Sequence, residues 1–162
     1  MFKIKLSILL LTSLFVFSCT NNQINASNQR YSLAYIGGGF DGLLLKNYLI
    51  SSLKNLDMYD SSSNYEIKAN ITHVSNLFIT NSDNTSDREK ISTRLSVQIN
   101  NTFSECRIID DEFGVSQFFI YAPSNKFLSN QTASNEIKRN NTESVVKRFI
   151  YKLRSISMKC ND

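Results

Sequence analysis

The chain is 162 residues long, 41% hydrophobic and 20% charged, enough for one domain with a real core. Its formal charge is +4, but Lys3 and Lys5 belong to an N-terminal leader, and without them the value falls to +2, too small to mark a nucleic-acid binder. The single His, His73, has no Cys, Asp or Glu cluster around it, which argues against a metal site. No nucleophile, metal cluster or acid pair stands out, so an enzyme is the least favoured class.

The N-terminus reads as a secretory signal. Lys3 and Lys5 precede an apolar run from Leu6 to Phe17, which is too short to span a bilayer as a helix. Val16-Phe17-Ser18-Cys19 resembles a bacterial lipobox. That resemblance implies removal of residues 1–18 and acylation of Cys19, with a palmitate-type anchor. Thr20, rather than Asp, after the Cys implies the outer membrane. Residues 19–30 are polar and aperiodic and read as a flexible tether. The remaining two cysteines, Cys106 and Cys160, form either one disulfide in an oxidising compartment or two separate buried thiols.

Residues 31–160 read as a single domain. Tyr31 to Ile36 is a first strand. Leu45, Tyr48, Leu49, Ser52, Leu53 and Leu56 then recur at helical spacing, predicting a helix over 42–56 with Asp41 as its N-cap. Tyr65, Ile67, Ala69 and Ile71 alternate with polar residues in a strand that has one covered face. A phase slip near Val74 predicts a bulge before Leu77 to Ile79. NSDNTSDREK reads as a loop, and Ile91 to Phe103 as a long strand of period two. Glu105 to Ile109 and Val115 to Tyr121 read as extended segments separated by a DDEFG turn. A last amphipathic helix is expected over 133–158, with Val145, Val146, Phe149, Ile150, Leu153 and Ile156 as its apolar stripe. It lies in a basic segment, with seven Lys or Arg between Asn135 and Cys160 opposed only by Glu136 and Glu143. The expected fold is α+β in the order β-α-β-β-β-α. It is a two-layer sandwich in which a four-stranded mixed sheet carries both helices on one face.

Gly37, Gly39 and Gly42 satisfy the G-x-G-x-x-G outline of a dinucleotide-binding turn. The rest of the chain argues against it, because one crossover is followed by alternating antiparallel strands instead of repeated βαβ units. The glycines then serve a tight strand-to-helix reversal that needs positive φ.

The lipobox, the helix LLLKNYLISSLK, the strands YEIKANITH and ISTRLSVQIN, the segment SQFFIYAPS and the final KRFIYKLRS together resemble LptE, an outer-membrane lipoprotein family of lipopolysaccharide transport. The resemblance is one of pattern and order across the whole mature chain, closest to short alphaproteobacterial-type members. It implies a non-enzymatic protein at the periplasmic face of the outer membrane. Such a protein plugs and helps assemble an LptD-like β-barrel and contacts lipopolysaccharide. It also implies Arg88 and Lys90, at the junction of the two long strands, as ligand contacts, since lipopolysaccharide carries phosphates and acidic sugars. The alternative for these two is a solvated pair beside Asp83, Asp87 and Glu89. The basic face of the last helix is a second candidate, with an ordinary solvated face as its alternative. Two other functional readings stay open: an accessory or activator subunit of another envelope complex, serving a peptidoglycan synthase or a lipid transporter, and a surface antigen.

Overall fold

A computed structural model describes residues 29–79, 86–120 and 127–156. The expected signal peptide, the expected lipidation site Cys19 and Cys160 lie outside the described residues. The elements are β1 (Ser32–Gly37), α1 (Gly39–Asn55), β2 (Tyr65–Ile79), β3 (Ser86–Asn101), β4 (Cys106–Ile120) and α2 (Phe127–Leu153). The sheet order is β1-β2-β3-β4. β1 runs parallel to β2, and the other pairs are antiparallel. Both helices cover the same face, α1 over β1 and β2 and α2 over β3 and β4. This is the α+β order and layering expected from the periodicities.

Each core layer follows from a repeat. On α1, Leu45, Leu49 and Leu53 stand four apart and are fully buried. On α2, Val145, Val146, Phe149, Ile150 and Leu153 face the same sheet. The sheet answers with Ile67, Ala69 and Ile71 on β2 and Leu95, Val97 and Ile99 on β3, every second residue. Burying one such side chain contributes about 1.5–3 kcal/mol. Tyr31 closes one end. Its backbone bonds Met58 and Asp60 at 2.8 and 2.9 Å, and its ring meets Tyr65 edge-on at 6.3 Å. Among the described residues no helix is long and apolar enough to cross a membrane, which has no bearing on β-barrels.

Five expectations are corrected. α1 begins at Gly39, with Gly38 as its N-cap, so Asp41 lies in the first turn and is not the cap. β2 has no bulge at Val74. Its pairing with β3 is regular from Tyr65 to Phe78, and the slipped apolar residues point to the other face. DREK is the start of β3, not loop, and DDEFG is the middle of β4, not a turn. The three adjacent acids stay extended because successive side chains alternate faces and each meets a cation. Asp110 takes Arg107 at 2.8 Å, Asp111 takes Lys152 at 2.6 Å and Glu112 takes Arg94 at 2.9 Å. α2 spans Phe127–Leu153, six residues earlier at its start than the apolar stripe predicts. Its polar first turns use side-chain bonds back to the helix, such as the Thr132 hydroxyl to the Leu128 carbonyl at 2.9 Å.

Candidate functional site

Among the described residues, no element covers the sheet face away from the helices. Along β3 it carries Arg88, Lys90, Ser92, Arg94, Ser96, Gln98 and Asn100, alternating with the buried positions. In its middle, Gly114 leaves a gap between Glu112 and Ser116. The result is a shallow depression of about 540 Å³, lined also by Thr72, Val74, Ser92 and Arg94. The floor is mixed in polarity and spanned by the Arg94–Glu112 pair.

Arg88 and Lys90 sit at the β2–β3 hairpin end of this face. The structure places them in the strand, two residues apart, so both side chains project from the same face. Cross-strand pairing sets Arg88 between Phe78 and Ile120, and Lys90 between Asn76 and Phe118. The Lys90 ammonium stands 5.6 Å from the Phe118 ring centre, and the Phe78 and Phe118 rings are 5.8 Å apart. Phe118 is 58% exposed and Ile120 81% exposed, and Val74 adds to the same apolar surface. Two cations beside exposed aromatic and aliphatic side chains suit an amphiphile with anionic headgroups and acyl chains.

The sequence pointed to the two cations but missed their apolar neighbours. The signal was present in Val74 and Phe78, whose break from the buried phase marks exposed residues of the open face. The basic face of α2 is a weaker candidate. Arg148 donates to the Gly114 carbonyl at 2.7 Å, Arg139 to the Tyr48 hydroxyl at 3.3 Å, and Lys147 and Lys152 pair with Glu143 and Asp111. Arg139, Arg148 and Lys152 tie the helix to the rest of the fold, and Lys147 pairs within the helix. Cys106, at the start of β4, is a disulfide cysteine, and the expected partner Cys160 lies outside the described residues.

A second polar cluster lies under the helices. His73 Nδ1 is 2.7 Å from the Thr93 hydroxyl, and its Nε2 is 3.8 Å from Asp41. Ser75 hydrogen-bonds Glu89 next to it, and Asn141 donates to the Ile91 carbonyl at 3.2 Å. Thr, His and Asp in this order resemble a nucleophile, a base and its orienting acid. Thr93 is only 2% exposed, however, and the bonds of the cluster are structural: His73–Thr93 and Ser75–Glu89 join β2 to β3, and Asn141 joins α2 to β3. Among the described residues no group of three or more metal-ligating side chains comes together.

Burial holds the His73 imidazole below its usual value. The Asp41 carboxylate opposes that shift and Lys138 adds to it. In the window between the lowered folded value and about 6.5, the unfolded chain binds more protons, so stability rises with pH there. The urea midpoint is expected to fall as pH drops from 7.5 to 5.5, and to fall less in His73→Gln. Equal slopes in the two proteins would show that His73 is not the group responsible.

The sequence matches no family model and no curated protein. The architecture does have solved counterparts. Rare lipoprotein B from Shewanella oneidensis superposes with a TM-score of 0.64 at 8% identity, covering 78% of this chain and 95% of that one. The fold is similar to that of rare lipoprotein B. A minor lipoprotein from Acinetobacter baumannii gives 0.57 at 13% identity, covering 78% of this chain and 91% of that one. A lipoprotein from Caulobacter crescentus gives 0.56 at 10% identity, covering 77% and 88%. Identities this low carry the architecture alone.

Proposed function

We propose that the protein is a lipid-anchored envelope lipoprotein, held through Cys19 at the periplasmic face of the outer membrane. There it plugs and helps assemble an LptD-like β-barrel and contacts lipopolysaccharide during transport to the cell surface. The observation that carries this reading is the open sheet face ending in Arg88 and Lys90 beside Phe78 and Phe118. A polar, open face suits a water-filled lumen, and the mixed cationic and apolar end suits a phosphorylated glycolipid. Lipobox chemistry at Cys19 and the likeness in fold to three bacterial lipoproteins support the anchored part of the reading.

The test is an affinity pull-down of the full-length chain, Cys19 intact, from detergent-solubilised membranes, with mass spectrometry of what comes with it. Recovery of a large β-barrel near one-to-one is the expected result. Recovery of a peptidoglycan synthase or an inner-membrane transporter, with no barrel, would replace this reading with an accessory-subunit role.

A further inference from the structure

β1 accompanies β2 only as far as Gly37 opposite Asn70, where the chain turns into α1. β2 runs on to Ile79. Among the described residues, the stretch from His73 to Leu77 pairs with β3 on its inner side and with no strand on its outer side. A Cβ added to Gly38 would come within 2.8 Å of the Ile71 carbonyl oxygen, so that carbonyl points outward. By the two-residue alternation of a strand, the N–H and C=O groups of His73, Ser75 and Leu77 point outward as well.

Edge strands are commonly blunted by a Lys, a Pro or a bulge. The segment HVSNLFI, residues 73–79, has no Pro and no Lys, Arg, Asp or Glu, and its ladder to β3 is regular through Phe78. Val74 is 54% exposed and Leu77 59% exposed, on opposite faces. The other edge of the sheet is treated differently: Arg148 caps the outward Gly114 carbonyl of β4.

We propose that this β2 edge pairs antiparallel with the same edge of a second copy, about a two-fold axis at Asn76. The register is self-consistent. Outward-facing Ser75 meets outward-facing Leu77 of the other copy, so both can exchange backbone hydrogen bonds. Val74 falls opposite Phe78 of the other copy as a non-hydrogen-bonded pair, where side chains lie closest. Both residues are on the open face, so the two Phe78–Phe118 clusters become one apolar surface. No like charges meet in the paired strands. The two Lys90 residues, one strand further in on each side and level with Asn76, stand roughly 14 Å apart, beyond the Debye length of about 8 Å, and the two Arg88 residues lie farther apart still. A strand pair of this length buries less than the about 1,200–2,000 Å² of a standard interface, so the dimer forms in a concentration-dependent way.

The pairing uses the backbone edge and not the cations of the open face, so it stands or falls separately from the barrel reading. The experiment is oxidative cross-linking of full-length Asn76→Cys in detergent, compared with Thr72→Cys. At the two-fold axis, two copies of residue 76 approach to about 4.5 Å between Cα atoms, within disulfide range. Two copies of residue 72 stand roughly 27 Å apart. A disulfide-linked dimer from Asn76→Cys alone, lost on adding the edge charge Val74→Lys, is expected. Three outcomes overturn the proposal: equal cross-linking by the two cysteines, no dimer from Asn76→Cys at any protein concentration, or cross-linking of Asn76→Cys to a different protein.

Discussion

Gly38→Ala is expected to destabilise the protein by about 3 kcal/mol, lowering its melting temperature by roughly 10 °C. Gly38 has φ of 112°, a left-handed conformation that L side chains rarely adopt. An added Cβ would also lie 2.7 Å from Ile71 Cγ2 and 2.8 Å from the Ile71 carbonyl oxygen. Ile71 is buried in the core and its carbonyl belongs to β2, so neither atom can withdraw cheaply. The neighbouring glycine provides the control. Gly39 also has positive φ, at 58°, but nothing lies within 4 Å of its missing Cβ, so Gly39→Ala is expected to cost only about 1 kcal/mol. Urea unfolding of the two variants separates close approach from conformational preference. Equal losses would mean that the contact with Ile71 carries none of the effect. The same geometry accounts for GGGFDG without a phosphate. A Cβ on Gly42 would stand 2.8 Å from the Gly37 carbonyl oxygen, so the strand end and the helix start occupy the space a side chain would need.

What the sequence made legible was periodicity. Alternation from Ile91 to Ile99 and the i, i+4 leucines of α1 predicted a strand and a helix with one buried face each, and both faces meet in the core. Element order and layering followed, because one wet sheet face leaves room for both helices only on the other. The extents were less legible wherever tertiary partners overrule local chemistry. Asp110, Asp111 and Glu112 read as a turn, since only Arg107 is near in sequence and nothing local shows that Lys152 and Arg94 arrive from α2 and β3. The phase slip near Val74 read as a bulge, since a strand outrunning its covering helix looks like a phase error along the chain. The candidate site was half legible for the same reason. Arg88 and Lys90 stand out as charges, whereas Phe118 lies 28 residues beyond Lys90 and becomes its neighbour only through the β3–β4 register.

The double reversal Arg88→Glu with Lys90→Glu is expected to weaken binding of purified lipopolysaccharide by about 30- to 100-fold, equivalent to roughly 2–3 kcal/mol. Both cations are on the surface, so each reversal is worth far less than a buried charge, and most of the effect comes from placing two anions beside the phosphates of the ligand. Raising the salt concentration should narrow the gap between wild type and variant, because screening removes the Coulombic part and leaves the apolar part. Phe118→Ala should act through that second part. It removes the ring under the Lys90 ammonium and the partner of Phe78, and its effect should persist at high salt. Lys68→Glu is the matched control, since Lys68 lies on the same open face but toward the β1 end, across from Tyr35. If net charge alone governed binding, Lys68→Glu would cost as much per charge as the pair at the hairpin end. A built site predicts that it costs little, so titrating all four proteins against the same vesicle-free lipopolysaccharide at two salt concentrations decides whether the hairpin end is a specific contact or one part of a diffuse basic surface.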